Sequence, residues 1–180
     1  MPRSETRIAA LLAAGLAVCS GCAGEPGYVK IATPGVAVQV RHGWGKTTKI
    51  TQESGTVAFP AGTYGPEWIA LVTELSEGDG SSRTPGGTWT LMCHSDFGRL
   101  GSIRVRKNET TVLKAGPPLV VRAHPQRRGD IVFIDLSITG QAGEVYSPVV
   151  YRNRSHRPPP TLKILDAAGK VLHTGTFRYG

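Results

Sequence analysis

The chain has 180 residues, 39% of them hydrophobic and 19% charged, a balance that argues against disorder and allows one ordinary domain or two small ones. Its 23 glycines and 13 prolines are scattered without a period, as many short strands joined by tight turns would require. The formal net charge is +8, or roughly +7 without a leader holding Arg3, Glu5 and Arg7, so the remainder is basic in its own right.

Arg3 and Arg7 precede the apolar run Ile8 to Val18, followed by Cys19-Ser20-Gly21-Cys22-Ala23-Gly24. These are the three parts of a secretory signal. The run falls well short of the roughly 20 apolar residues a spanning helix needs, so a retained span is not expected. Ser20-Gly21-Cys22 resembles the lipobox of bacterial lipoproteins, although Cys19 stands where that pattern prefers leucine. The resemblance implies diacylation of Cys22, with 1-21 as signal peptide and 22-27 as tether; plain secretory cleavage is the alternative. An exported basic protein meets anionic lipid head groups and acidic envelope polymers rather than nucleic acid. Cys19 and Cys22 lack the histidine of a haem attachment motif and the second pair of a zinc site. Once Cys22 is acylated, Cys93 has no partner for an internal disulfide, and it reads as a small buried apolar residue.

Beyond the tether no long 3.6-residue apolar pattern occurs, and short alternating or continuous runs are bounded by Gly, Pro, Asn and Asp. The fold class is therefore all-β, with small β-sandwich architecture expected. In chain order the expected strands are 28–32, 36–41, 44–50, 56–59, 68–75, 88–93, 102–107, 110–114, 119–124, 130–139, 144–151, 161–165 and 171–177. Gln126 to Asp130 reads as a hairpin loop with Gly129 at positive φ, and Asp166 to Lys170 as another. Val132, Ile134, Leu136 and Ile138 share one face of the most apolar run, which is expected to be a central strand. The polar stretch 76–87 reads as a surface loop.

Residues 28-107 and 108-180 each hold enough strands for one small sandwich, which places a linker near Lys107-Asn108-Glu109; one larger sandwich over 28-180 is the alternative. Val36-Ala37-Val38-Gln39-Val40, with Val57-Ala58-Phe59-Pro60-Ala61-Gly62-Thr63-Tyr64, resembles PEGA-like or prealbumin-like β domains of bacterial envelope proteins. In those domains a Pro-x-Gly-x-Tyr segment turns into the following strand. Leu113 to Leu119, Thr139 to Tyr146 and Ile164 to Gly180 are similar to segments of uncharacterised exported lipoproteins of planctomycete type. That resemblance implies an envelope protein and brings no catalytic residues; in those proteins the chain commonly continues past the Phe-x-Tyr-Gly end.

Chemistry-bearing patterns are sparse. His42, His94, His124, His156 and His173 occur singly, without metal-ligand spacing, so no metal or other cofactor is expected. Glu144 beside Tyr146, and Asp130 with Asp135, are acid/base candidates only by residue type. The pattern furthest above background is Tyr151-Arg152-Asn153-Arg154-Ser155-His156-Arg157-Pro158-Pro159-Pro160, where the prolines would hold an extended loop. Arg152, Arg154 and Arg157, with Arg127 and Arg128, form the expected anion-binding set. The expected function is a non-enzymatic, membrane-tethered envelope module with an envelope protein or anionic polymer as partner. The alternative is a hydrolase or metal-dependent enzyme whose site assembles from distant residues such as Cys93, His94 and His124.

Overall fold

The structure is a computed structural model that describes residues 25–75 and 87–178. Cys19, Cys22 and nearly all of the expected loop 76–87 lie outside the described residues. The chain is all-β: fifteen strands and one 3-10 turn, Gly98–Gly101, with no α-helix among the described residues. The strands of the first part are β1 (Gly27–Ile31), β2 (Val36–His42), β3 (Lys46–Thr51), β4 (Val57–Phe59), β5 (Gly62–Leu75), β6 (Gly87–Cys93), β7 (Ile103–Val105) and β8 (Thr110–Leu113). They are followed by β9 (Val120–Arg128), β10 (Ile131–Thr139), β11 (Val145–Tyr146), β12 (Tyr151–Arg152), β13 (Ser155–His156), β14 (Thr161–Leu165) and β15 (Val171–Thr176).

Alternation along β1 and β2 sends Val29, Ile31, Val36, Val38 and Val40 into the core while Lys30 and Arg41 stay outside. The largest sheet runs β13-β12-β6-β5-β2-β3, and a second runs β4-β1-β8. β5 serves three partners, β6, β2 and β7. Its register against β2 shifts between Gln39 and Val40, where Pro66 cannot donate to the ladder, and Gly62 to Tyr64 pair instead with β7. Strand 68–75 of the sequence pattern therefore begins earlier than its apolar alternation shows. Strand 44–50 begins later: Trp44 is fully exposed between Gly43 and Gly45, whose positive φ values of 58° and 71° make the turn.

One buried cluster joins these sheets. It includes Val29, Val38, Ile50, Phe59, Ile69 and Cys93, and continues past residue 108 through Leu113, Ala115, Ile138, Ala142 and Tyr146. At the expected linker, Asn108 donates its backbone N–H to the Pro26 carbonyl at 2.9 Å, and β8 pairs in parallel with β1 immediately afterwards. The 28-107 and 108-180 halves thus share β pairing and buried side chains across this point.

The most apolar run does not lie at the centre of that cluster. β10 is the middle strand of a small sheet, β11-β10-β9, but Ile131, Val132 and Phe133 are exposed and only Ile138 is buried. All of β9 is exposed. The expected strand 144–151 is broken: Val145–Tyr146 pair with β10, then Pro148 intervenes and Tyr151–Arg152 pair with β6. β14 and β15 form the expected terminal hairpin, with Gly169 at φ 81° in its turn.

Candidate functional site

The arginine-rich segment is a hairpin rather than the extended loop its prolines implied. β12 and β13 pair Tyr151 with His156 and Arg152 with Ser155, leaving Asn153 and Arg154 as a two-residue turn. Their φ values of 50° and 67° are those of a type I′ turn, whose twist matches the flanking strands. Asn153 holds the turn against β6: its N–H donates to the Thr88 carbonyl at 2.9 Å, and its Oδ1 accepts from the Thr88 N–H at 3.0 Å. The hairpin continues where the Arg157 N–H donates to the Val150 carbonyl. The prolines begin only after this pairing ends.

Pairing with β6 sets Arg152 opposite Trp89, and both residues face the same way. The Arg152 guanidinium lies 5.8 Å from the indole centroid and that of Arg157 lies 5.9 Å from it. Two cations on one ring are each held by cation–π attraction of about 0.5–1 kcal/mol at partly exposed sites. Tyr151 and His156 stack edge to face at 4.6 Å. Arg154 borders a shallow hollow of about 340 Å³ with Thr90, Met92, His94 and Tyr151. From Val145 to Leu165 the chain carries Arg152, Arg154, Arg157 and Lys163 and no Asp or Glu. Guanidinium groups have the planar fork geometry that suits carboxylate or phosphate oxygens.

Arg127 and Arg128 belong elsewhere, on the β9–β10 hairpin of the small sheet. Arg127 Nε donates to the Gly129 carbonyl at 2.8 Å and its guanidinium lies 3.8 Å from the Asp130 carboxylate. Arg128 lies over the Phe133 ring at 5.6 Å. The five arginines therefore occupy two hairpins of two sheets rather than one loop cluster. Cys22 lies outside the described residues.

Of the candidate catalytic residues one is buried in the core and two are exposed. Cys93 is fully buried, its Sγ donates to the Asp96 carbonyl at 3.3 Å, and burial pushes its thiol up to about 11. His94 is exposed in the bend just past β6, and His124 sits on β9 with Nε2 2.8 Å from Ser137 Oγ. Among the described residues no group of three His, Cys, Asp or Glu side chains is placed to hold a metal ion.

Two arrangements were hidden in the sequence. A cleft of about 570 Å³ gathers Arg41, His42, Tyr64, Glu67 and His94, residues far apart in the chain. Within it Arg41 pairs with Glu67 at 2.7 Å and His42 Nε2 meets Thr48 Oγ1 at 2.7 Å, so these groups are already engaged with one another. The second is Glu144. Its buried carboxylate accepts from the Gly116 N–H at 2.6 Å, the Ala142 N–H at 2.9 Å and the Tyr146 hydroxyl at 3.1 Å. It joins the β8–β9 connection to the β10–β11 loop, which is a structural role rather than an acid/base one. Comparison with known proteins adds nothing to this geometry: no protein-family model, no curated protein and no solved structure matches the chain.

Proposed function

We propose that this chain is a membrane-tethered module of the bacterial cell envelope, held by an acylated Cys22, that binds an anionic protein or polymer without catalysing a reaction. The observation that carries the binding reading is the Arg152–Trp89–Arg157 arrangement, with Arg154 in the turn between them, which gathers three guanidinium groups on one hairpin of the largest sheet. Cations held on a sheet by an aromatic ring lose less freedom when they take an anion than cations on a mobile loop would. The tether reading is supported by the apolar run 8–18 and the small residues before Cys22. A diacyl anchor with a basic surface gives the two signals that stable membrane attachment needs.

The test has two parts. Membrane fractionation with intact mass compares wild type with Cys22→Ser. A membrane-bound wild type beginning at diacylated Cys22, with a variant released from the membrane, supports the tether; a soluble, unmodified wild type removes it. Binding to alginate, an acidic glycan, is then measured against salt for wild type and for the triple variant Arg152→Gln, Arg154→Gln, Arg157→Gln. Wild-type binding that weakens with salt and falls about tenfold in the triple variant supports the anionic partner; equal binding by both sinks the hairpin as its site.

A further inference from the structure

Among the described residues, eleven large apolar side chains are exposed, and nine of these lie on just two hairpins, five on β9–β10 and four on β14–β15. At the β9–β10 tip Ile131, Val132 and Phe133 are 61%, 55% and 47% exposed; near the β14–β15 tip Leu165, Val171 and Leu172 are exposed to a similar degree. Exposed apolar side chains gathered in this way mark a contact surface. Charge accompanies them: the two hairpins carry Arg122, Arg127, Arg128, Lys163 and Lys170 against Asp130, Asp135 and Asp166.

The register narrows what the surface meets. Val132 pairs with Arg127 on one face of the β9–β10 hairpin, whereas Ile131 pairs with Arg128, and Phe133 with Gln126, on the other. The tip is thus apolar and cationic on both faces. A protein seated on a sheet covers one face, but a lipid interface surrounds a tip. Strand pairing with a second copy is opposed along β9, where Pro125 offers no N–H and the three arginines would confront like charges.

We propose that the β9–β10 hairpin, whose Val132 and Ile134 line one groove with Leu162 and Ile164 of β14–β15, docks by its tip on an anionic lipid bilayer, burying Ile131, Val132 and Phe133 in the interfacial layer and setting Arg127 and Arg128 against lipid phosphates. Asp130, at the apex and 3.8 Å from Arg127, holds the tip at head-group depth. The inference rests on the tethered reading for the identity of the surface, because a diacyl anchor brings a bilayer within reach of the hairpins.

The experiment is hydrogen exchange on the full chain with vesicles of equimolar phosphatidylglycerol and phosphatidylcholine, or of phosphatidylcholine alone. The amides of 126–133 are expected to exchange at least about tenfold more slowly on the anionic vesicles only. Ile131→Asp with Phe133→Asp, and separately Arg127→Gln with Arg128→Gln, are expected to abolish that slowing; all four sites are exposed, and an unchanged near-ultraviolet circular dichroism spectrum confirms the fold. Unchanged exchange at 126–133, whether or not the protein sediments with the vesicles, overturns the proposal. So does slowing that appears without lipid as protein concentration rises, which marks a second copy as the occupant. Because the readout is local, an unmodified Cys22 with a slowed hairpin sinks the anchor alone, and an acylated Cys22 with an unslowed hairpin sinks the docking surface alone.

Discussion

Tyr146 donates its buried hydroxyl to Glu144 Oε1 at 3.1 Å, so a phenol and a carboxylate two residues apart share one interior hydrogen bond. Glu144 immediately precedes β11, which Tyr146 ends, and the two side chains meet in the interior. The same carboxylate accepts two backbone N–H groups, from Gly116 and Ala142. Glu144→Ala leaves three donors unsatisfied in the interior, and the expected loss is about 3–5 kcal/mol of unfolding free energy. Glu144→Gln keeps one acceptor but turns an amide NH2 toward a backbone donor, for an expected loss of about 1–3 kcal/mol. Tyr146→Phe removes one donor and is expected to cost about 1 kcal/mol. Urea denaturation of the three variants gives the ranking, and an Ala variant as stable as wild type would show that the carboxylate does not hold the loops.

Cys93 provides a pH-dependent prediction. Burial is the main cause of its raised pKa, about 11 against an ordinary value of 9.0. The folded protein therefore binds this proton more tightly than the unfolded chain. The contribution to stability is complete below pH 9 and is lost as pH rises from about 9 to about 11. Burial likewise raises Tyr146, which adds to the decline at still higher pH. The difference in stability between wild type and Cys93→Ala should thus shrink by about 2–3 kcal/mol across that window. In a Cys19→Ser, Cys22→Ser background, a disulfide reagent at pH 8 should label Cys93 only after unfolding. Rapid labelling of the native protein would show that the thiol is accessible.

Gly98 and Gly129 both have positive φ, 53° and 62°, but their surroundings differ. A Cβ at Gly98 would lie 2.4 Å from the Gly143 carbonyl carbon and 2.5 Å from the Ala142 carbonyl oxygen, atoms of backbone that cannot swing aside. At Gly129, in the β9–β10 turn, a Cβ meets nothing within 4 Å. Gly129→Ala is expected to cost about 1 kcal/mol, the strain of a left-handed alanine. Gly98→Ala adds a backbone clash and is expected to cost at least about 3 kcal/mol or to prevent folding. Equal thermal midpoints for the two would contradict the close approach of these loops.

Much of this architecture was legible because strand alternation and turn chemistry are local. Val36, Val38 and Val40 announced their inward face, and Gly129 and Gly169 marked the turns they occupy. Burial was less legible, because apolar content measures only what a strand is able to bury. Ile131 to Phe133 form part of the most apolar run, yet the small sheet that holds them leaves their end of the hairpin uncovered. The arginine hairpin is hard to read from sequence because Pro158 to Pro160 imply an extended loop, and its Asn-Arg turn lacks the glycine that is the stronger hairpin signal. Nothing local paired Arg152 with Trp89, since that contact depends on β12 joining β6 across more than sixty intervening residues.

That turn separates the arginine hairpin's stability from its charge. Arg154 occupies the left-handed region at φ 67°, a conformation glycine adopts without the steric cost an arginine bears. Arg154→Gly is therefore expected to stabilise the folded protein by up to about 1 kcal/mol, offset in part by the greater freedom glycine gives the unfolded chain. The same change removes a cation from the acid-free stretch and should weaken binding to an acidic polymer about threefold to tenfold, most clearly at low salt. Arg154→Lys should keep the strain and most of the charge, with unchanged stability and a smaller binding loss. Stability from thermal unfolding and affinity from a salt titration are thus expected to move in opposite directions for the glycine variant. If affinity instead follows stability across both variants, Arg154 serves the turn alone and the anion contact lies with other residues.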